Sequence, residues 1–136
     1  MFKGNSRIEI VMKQSMVVWF EIPVNDMDRA KAFYETVFDI KIGIQNFGGL
    51  LMGWFPFNEG QSGASGTLIK QDSYIPSKEG TLVYFNCEDV GNELSRVEAA
   101  GGQIYQPKTQ ISPEHGYMAV FIDTEGNRVA LHANNG

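Results

Sequence analysis

The feature that most constrains the fold of this chain is an internal repeat. Two segments follow one pattern: VVWFEIPVNDMDRAKAFYETVFDIKI, which starts at Val17, and TLVYFNCEDVGNELSRVEAAGGQIYQ, which starts at Thr81. Each opens with alternating apolar residues, passes through an acidic residue and continues with apolar residues at helical spacing. Repeats of this kind indicate supersecondary units that bury their apolar faces against each other. A chain of 136 residues has room for one compact domain built from two such halves.

Each half contains one amphipathic helix with a recognisable start. In the first half Asn25 or Asp26 is a suitable N-cap, and in the second half Asp89 is. Gly101-Gly102 is expected to end the second helix. The apolar stripes consist of Ala30, Phe33, Tyr34, Val37 and Phe38 in the first helix, and of Val90, Leu94 and Val97 in the second.

Three further strand-like runs follow each helix, separated by glycine-rich or polar turns. They are Ile40–Ile44, Leu50–Phe57 and Ala64–Ile69 in the first half, and Gln103–Tyr105, Tyr117–Ile122 and Arg128–Ala133 in the second. The sequence therefore predicts an α+β fold of tandem βαβββ repeats, over residues 16–70 and 81–136, with residues 71–80 as a linker. Residues 1–15 lie outside the repeat, and we expect a poorly ordered tail or an extension that is not native.

Composition excludes several classes of function. The formal net charge of −5 opposes binding to nucleic acid or to an anionic membrane surface. A single cysteine, Cys87, rules out an internal disulfide and a cysteine-based zinc cluster. The chain has neither an uninterrupted apolar run of membrane-spanning length nor an apolar signal core near Met1, so we predict a cytoplasmic protein.

The first strand of the repeat has two unlike faces. Because side chains alternate along a strand, Val18, Phe20, Ile22 and Val24 share one face, and Trp19, Glu21 and Pro23 share the other. We expect the apolar face to pack beneath a helix. The opposite face combines an indole with a carboxylate.

The second half repeats this arrangement. Tyr84 and Asn86 share a face of its first strand, and Ala130 and His132 share a face of its last. Large aromatic residues at matching places, with a few polar groups beside them, are typical of a binding pocket rather than of a plain solvent-facing sheet. Trp54 is either pocket wall or core.

The repeat, the helix entry NDMDRAKAFYETVF and the ending DTEGNRVAL resemble the vicinal oxygen chelate superfamily, which includes glyoxalase I, extradiol dioxygenases and bleomycin resistance proteins. The resemblance extends from about Met16 to Ala133. It implies a curled sheet around a cleft, with helices on the convex side. It also implies a homodimer, as family members often dimerise.

The same resemblance identifies where metal-dependent members carry their ligands. The matching positions here are Trp19, Leu82 and Ala130, and the fourth falls within residues 61–70, which contain no Asp, Glu or His. None of these side chains can hold a divalent ion, which needs about three protein ligands. We therefore expect no metal and no other cofactor. A displaced metal site, formed by Glu21, His132 and Asn86, is the alternative.

Several roles remain open for Glu21. It could serve as a general base or anchor a ligand, or it could form an ion pair with Arg128 or face solvent. The leading hypothesis is a glyoxalase-like protein that binds a small organic molecule, aromatic or cationic, in a metal-free cleft. The alternatives are a metal-independent lyase or isomerase with Glu21 as base, a metalloenzyme with a displaced site, and an interaction module. The predicted ligand-binding residues are Trp19, Glu21, Trp54, Leu82, Tyr84, Asn86, Ala130 and His132.

Overall fold

The structure, a computed structural model, describes residues 15–136. The predicted tail over residues 1–15 therefore lies outside the described residues, apart from Ser15. The first half contains β1 (Trp19–Pro23), α1 (Met27–Phe38), β2 (Gly43–Phe47), β3 (Leu50–Trp54) and β4 (Ser65–Lys70). The second half contains β5 (Tyr84–Asn86), α2 (Val90–Val97), β6 (Gln103–Ser112), β7 (Gly116–Ile122) and β8 (Arg128–Ala133).

The two halves form two four-stranded sheets of the same topology. The strand order is β1-β4-β3-β2 in the first sheet and β5-β8-β7-β6 in the second. In each sheet the first and last strands of the half pair in parallel, and the other pairs are antiparallel. The α+β fold of tandem βαβββ units is confirmed. No helix within residues 15–136 is long and apolar enough to cross a membrane.

Both helices begin at the acidic residues that the sequence indicates. The Asp26 carboxylate accepts a hydrogen bond from the backbone N–H of Arg29 at 3.0 Å. The Asp89 carboxylate accepts one from the N–H of Gly91 at 2.8 Å. Such caps satisfy N–H groups that have no partner within the helix. The apolar stripes of α1 and α2 are buried, as predicted, except that Phe38 is partly exposed.

An aromatic cluster joins the two halves beneath the helices. The rings of Phe20 and Phe85 lie 5.5 Å apart in an edge-to-face arrangement, and Phe38 approaches Phe85 to 4.7 Å. Burying one such side chain stabilises a fold by roughly 1.5–3 kcal/mol. Gly66 makes room for this cluster, because a Cβ there would lie 2.7 Å from the Phe20 ring.

The structure corrects the expected packing of Val18. This side chain is 70% exposed and lies before β1 begins, where no helix covers it. The face of β1 that packs under α1 is formed by the residues that follow, with Ile22 and Val24 buried.

Several strand boundaries also differ from the predicted ones; β3, for example, ends at Trp54 rather than Phe57. β2 starts at Gly43 rather than Ile40, because Ile42 turns into the core and its N–H donates to the Glu35 carboxylate at 2.8 Å. β5 spans only Tyr84–Asn86. β6 continues to Ser112 through Pro107, which an edge strand with irregular register tolerates.

Candidate functional site

A cleft of about 660 Å³ opens where the two halves meet. We call it the large cleft. Its walls come from the start of β1, from the connection over residues 55–64, and from β5 with the residues just before it. The lining residues are Val17, Trp19, Phe20, Phe38, Ile40, Phe55, Pro56, Ser62, Gly63, Ala64, Ser65, Thr81, Leu82, Val83, Tyr84, Phe85 and Asn86. Most of this wall is apolar or aromatic, and within residues 15–136 it contains no Asp, Glu, Lys, Arg or His.

Four of the predicted site residues line the large cleft: Trp19, Leu82, Tyr84 and Asn86. Trp19 comes from the first half and the other three from the second. Tyr84 is 51% exposed, so much of its ring remains available for contact. The Trp19 ring packs against the Trp54 ring, with ring centres 5.2 Å apart.

The other four predicted residues do not line the large cleft. Trp54 supports Trp19 from outside it, and Phe55, the next residue, is the one that joins the core. Ala130 is completely buried beside Tyr84, its partner in the parallel ladder. His132 lies next to Asn86 in that ladder, and its Nε2 is 2.7 Å from the carbonyl oxygen of His115. The ligand-binding roles of these residues stay predictions.

Glu21 lies on the exposed face of the first sheet. Its carboxylate forms no ion pair with any residue in the range 15–136, so the considered pair with Arg128 is not made. Instead, both residues line a second cavity of about 320 Å³, the small crevice, between β1, β8 and the linker. The residues that line it are Phe20, Glu21, Ile22, Pro23, Ile75, Ser77, Gly80, Thr81, Val83, Asn127, Arg128 and Val129.

Sequence reasoning overlooked one polar group near Glu21. Thr67 is opposite Glu21 in the β1–β4 ladder and opposite Trp54 in the β3–β4 ladder. The residue is fully buried, and in the part of the chain that the structure describes its hydroxyl has no hydrogen-bond partner. A buried hydroxyl of this kind is uncommon in folded proteins. The strand sequence SGTLIK gives no local sign of it, because the alternation alone does not tell which face is covered.

The side chains at this site do not fit a divalent metal ion. Within residues 15–136 no group of three His, Cys, Asp or Glu side chains comes together. The positions that the family resemblance assigns to metal ligands carry Trp19, Leu82 and Ala130, none of which can donate to a cation. The three residues of the alternative, displaced metal site do not share one cavity. Glu21 lines the small crevice, Asn86 lines the large cleft, and His132 lines neither.

Cys87 is a structural thiol at the end of β5. Burial, followed by the neighbouring Glu93, raises the pKa of Cys87 to about 12. Since the thiolate is the nucleophilic form, this side chain is unreactive at neutral pH.

The turn between β7 and β8, residues 123–127, connects the second half to the start of α1 in the first half. Both backbone N–H groups that precede α1, those of Asn25 and Asp26, donate to Glu125 Oε1 at 2.9 Å. Arg29 donates to the same carboxylate through Nε, at 2.8 Å, and through Nη2, at 2.9 Å. The Glu125 side chain is fully buried, so these four donors compensate for the loss of its hydration.

These contacts determine the protonation of the groups involved. Burial by itself would raise the pKa of Glu125, but hydrogen bonds from Arg29 and the backbone N–H groups outweigh it, and the pKa lies below its ordinary value. Tyr34 donates its hydroxyl to Asp123 Oδ2 at 2.6 Å. Burial, and then the charge of Asp123, raise the pKa of Tyr34 well above its ordinary value, so the hydroxyl remains a donor.

Comparison with known proteins identifies relatives along most of the chain. Residues 16–131 match the family described as the Glyoxalase/Bleomycin resistance protein/Dioxygenase superfamily. A glyoxylase-like domain-containing protein from Didymella fabae is 27% identical over 117 residues, which cover 82% of this chain and 88% of that protein.

Solved structures agree with this match. TnmS3, an antibiotic binding protein from Streptomyces sp. CB03234, is 25% identical with a TM-score of 0.65, and the match covers 90% of this chain and 98% of that one. Glyoxalase I from Zea mays is 17% identical with a TM-score of 0.63 and has the same fold. The match covers 85% of this chain but only 45% of the maize chain, so the present chain spans about half of that enzyme.

Proposed function

This chain belongs to the glyoxalase/bleomycin resistance protein/dioxygenase superfamily, and we propose that it binds an uncharged, partly aromatic small molecule in the large cleft without a metal ion. The observation that carries the proposal is the cleft itself. Ligand sites are typically concave, mostly apolar cavities of about 300–1,000 Å³ with a few placed polar groups. A cavity of about 660 Å³ with Trp19 and Tyr84 in its walls has those properties.

The wall chemistry favours a neutral ligand over the cationic one considered from the sequence. Transferring a charged group from water to an apolar surface is costly unless an opposite charge receives it. The described wall offers no such charge, because Glu21 lines the small crevice instead. The polar side chains that remain, Asn86 and Ser65 among them, suit a carbonyl or hydroxyl group on the ligand.

The similarity to TnmS3 supports binding rather than catalysis. That protein is described as an antibiotic binding protein, and the match extends over nearly the whole of both chains. No contact within residues 15–136 favours the alternative of Glu21 as a catalytic base, since the carboxylate is exposed and lies outside the cleft wall. The cytoplasmic location stays a prediction.

We propose further that the protein is a homodimer. Large apolar side chains remain exposed on both sheets, among them Phe47, Trp54 and Tyr84. Exposed apolar surface on this scale marks an interaction site in many soluble proteins. A second copy of the chain is the proposed partner, and sedimentation equilibrium would measure the mass of the assembly.

A set of dyes of different charge tests the ligand class. We expect the neutral dye Nile red to bind saturably, with a rise in its fluorescence. The cationic thioflavin T and the anionic 8-anilinonaphthalene-1-sulfonate should bind at least about tenfold more weakly, because each must lose hydration without an opposite charge in the cleft. Equal binding of all three dyes would contradict a neutral site, and native mass spectrometry of the purified protein would detect a retained ligand directly.

Replacement of the two tryptophans locates the binding surface. Trp19→Ala should weaken Nile red binding about tenfold or more, as expected for an aromatic anchor. Trp54→Ala is the matched control, because it removes the same side chain from the neighbouring position outside the cleft wall, and its effect on affinity should be smaller. An unchanged affinity in Trp19→Ala, or a larger loss in Trp54→Ala, would contradict binding in the large cleft.

A further inference from the structure

The small crevice carries two opposite charges that do not meet. Glu21 lines it from β1 and Arg128 from the start of β8, and no ion pair within 4.0 Å joins them. The proposed ligand site in the large cleft uses neither residue. Opposite charges that face one small cavity attract each other unless something else satisfies them.

Arg128 supplies the strongest sign of a missing partner. Its Nε is buried and has no hydrogen-bond acceptor among residues 15–136. Buried N–H groups in native structures almost always have a partner, from the protein, water or a ligand. The planar guanidinium pairs best with a planar anion such as a carboxylate. Arg128 lines the small crevice, so an anion bound there faces the guanidinium group.

Glu21 makes a simple anion an unsuitable occupant. Its carboxylate lines the same cavity and repels a second negative charge that has nothing to balance it. It accepts hydrogen bonds from an ammonium group instead. A ligand that satisfies both residues therefore carries one charge of each sign.

The rest of the crevice suits a short apolar side chain on that ligand. Ile75, which is exposed, and Val83, which is half-buried, contribute apolar wall. The walls are also held in place: Asn127 Nδ2 donates to the carbonyl of Pro23 at 2.7 Å, and Asn127 Oδ1 accepts from the N–H of Ser77 at 3.1 Å. One side chain thus ties β1 and the linker to the base of β8, which preorganises the cavity.

We propose that the small crevice is a second ligand site, for a small zwitterion with an apolar side chain, of the type of a free aliphatic amino acid. The ligand carboxylate accepts from the Arg128 guanidinium, its ammonium donates to Glu21, and its side chain lies against Ile75 and Val83. The two cavities share Phe20, Thr81 and Val83 in their walls, but Glu21 and Arg128 line only the small crevice, so either ligand site can exist without the other.

Calorimetric titration of the full chain with three matched probes tests the ligand class. L-leucine has both charges, 4-methylpentanoate lacks the ammonium, and 3-methylbutylamine lacks the carboxylate. We expect saturable binding of L-leucine and at least about tenfold weaker binding of the other two, because each loses one charge pair. Absence of L-leucine binding at millimolar concentration, or equal binding of the three, would overturn the proposal.

Variants assign the charges to residues. Glu21→Gln should weaken L-leucine about tenfold, since only L-leucine carries the ammonium, and it should strengthen 4-methylpentanoate, since the repulsion of a lone carboxylate is removed. Glu59→Gln removes an exposed carboxylate outside the crevice and should leave both probes unchanged. Arg128→Gln should weaken both probes, and circular dichroism checks that it folds.

Glu21→Gln decides the proposal even if Arg128→Gln does not fold, because Glu21 is exposed. An unchanged L-leucine affinity in Glu21→Gln, or an equal loss in Glu59→Gln, would overturn it. Nile red binding reports the large cleft separately, so failure of one site is distinguishable from failure of the other.

Discussion

The two halves of the chain share one topology but differ in the connection that precedes their last strand. In the second half this connection is the tight turn over residues 123–127, whose polar side chains are almost all engaged in hydrogen bonds. In the first half it is the longer connection over residues 55–64. Five of its residues line the large cleft, namely Phe55, Pro56, Ser62, Gly63 and Ala64.

This difference separates stability from ligand binding within one repeated unit. The turn over residues 123–127 reaches across to the first half and holds the start of α1. The connection over residues 55–64 makes few such contacts, so its residues are free to shape a cavity. Loops on a rigid scaffold commonly carry function for this reason. We therefore expect changes in the turn to affect stability, and changes in the connection to affect binding.

The largest effect should come from removing the Glu125 carboxylate. Glu125→Ala leaves Arg29 and the two backbone N–H groups before α1 without their buried acceptor. Arg29 is half-exposed and keeps its hydration, so the loss comes from hydrogen bonds to the carboxylate; one such bond contributes about 1.5–3 kcal/mol, and we expect about 3 kcal/mol for the loss of all of them. Urea unfolding should show a loss of this size in the free energy of unfolding.

The matched control for this variant lies in the other connection. Glu59→Ala removes an exposed carboxylate from the connection over residues 55–64, and it should change the free energy of unfolding by no more than about 0.5 kcal/mol. Similar losses in the two variants would contradict the assignment of stability to the second turn alone.

A smaller loss is expected for Tyr34→Phe. This change removes the hydroxyl that donates to Asp123 Oδ2 at 2.6 Å and keeps the ring in the core. A hydrogen bond to a charged group contributes about 1.5–3 kcal/mol, and Asp123 Oδ2 retains a second donor in Asn127. We expect a loss near the lower end of that range, measured by urea unfolding. A loss as large as that of Glu125→Ala would indicate that the phenyl ring repacks.

The sequence predicts the strands and helices of both halves better than it predicts which connection stabilises the fold and which one shapes the cleft. Helical spacing and the caps Asp26 and Asp89 locate α1 and α2, because both signals are local. The motif DTEGNR marks a turn, but its partners Asn25 and Asp26 lie about a hundred residues away in the chain. No local pattern can report such contacts.

The candidate site could be predicted only in part, because here too some contacts join segments that are distant in the sequence. Alternation along β1 assigns Trp19 and Glu21 to one face, and the structure has both on that face. It cannot tell that the face is divided between two cavities, since the division depends on where the second half and the linker cross β1. Among residues 15–136, Arg128 Nε and the Thr67 hydroxyl are buried without a hydrogen-bond partner, and this too depends on how distant segments pack together.

Acid should weaken the contacts of the turn over residues 123–127. The pKa of Glu125 is below its ordinary value in the folded chain, so its stabilising contribution is present above the unfolded pKa of about 4.3 and is lost as the pH falls through the lower, folded pKa. Asp89 and Glu35 also have lowered pKa values and contribute in the same direction. Urea unfolding between neutral pH and pH about 3 should therefore show falling stability.

Glu125→Gln isolates the contribution of Glu125 to the pH dependence of the free energy of unfolding, because the amide does not titrate. In that variant the decline of the free energy of unfolding with acid should be shallower than in the unmodified chain. An identical pH dependence in the two proteins would mean that other carboxyl groups account for the whole effect.

The smallest effect on stability is expected where binding should change most. Ala64 is exposed at the end of the connection over residues 55–64 and lines the large cleft. Ala64→Trp adds an indole to the cleft wall, so it should weaken Nile red binding while the free energy of unfolding changes by no more than about 0.5 kcal/mol. Ala32→Trp makes the same addition on the exposed side of α1, away from the cleft, and should leave Nile red affinity unchanged. If Ala64→Trp destabilised the chain as Tyr34→Phe does, the first connection would be part of the stabilising framework, and the separation between the two halves would not hold.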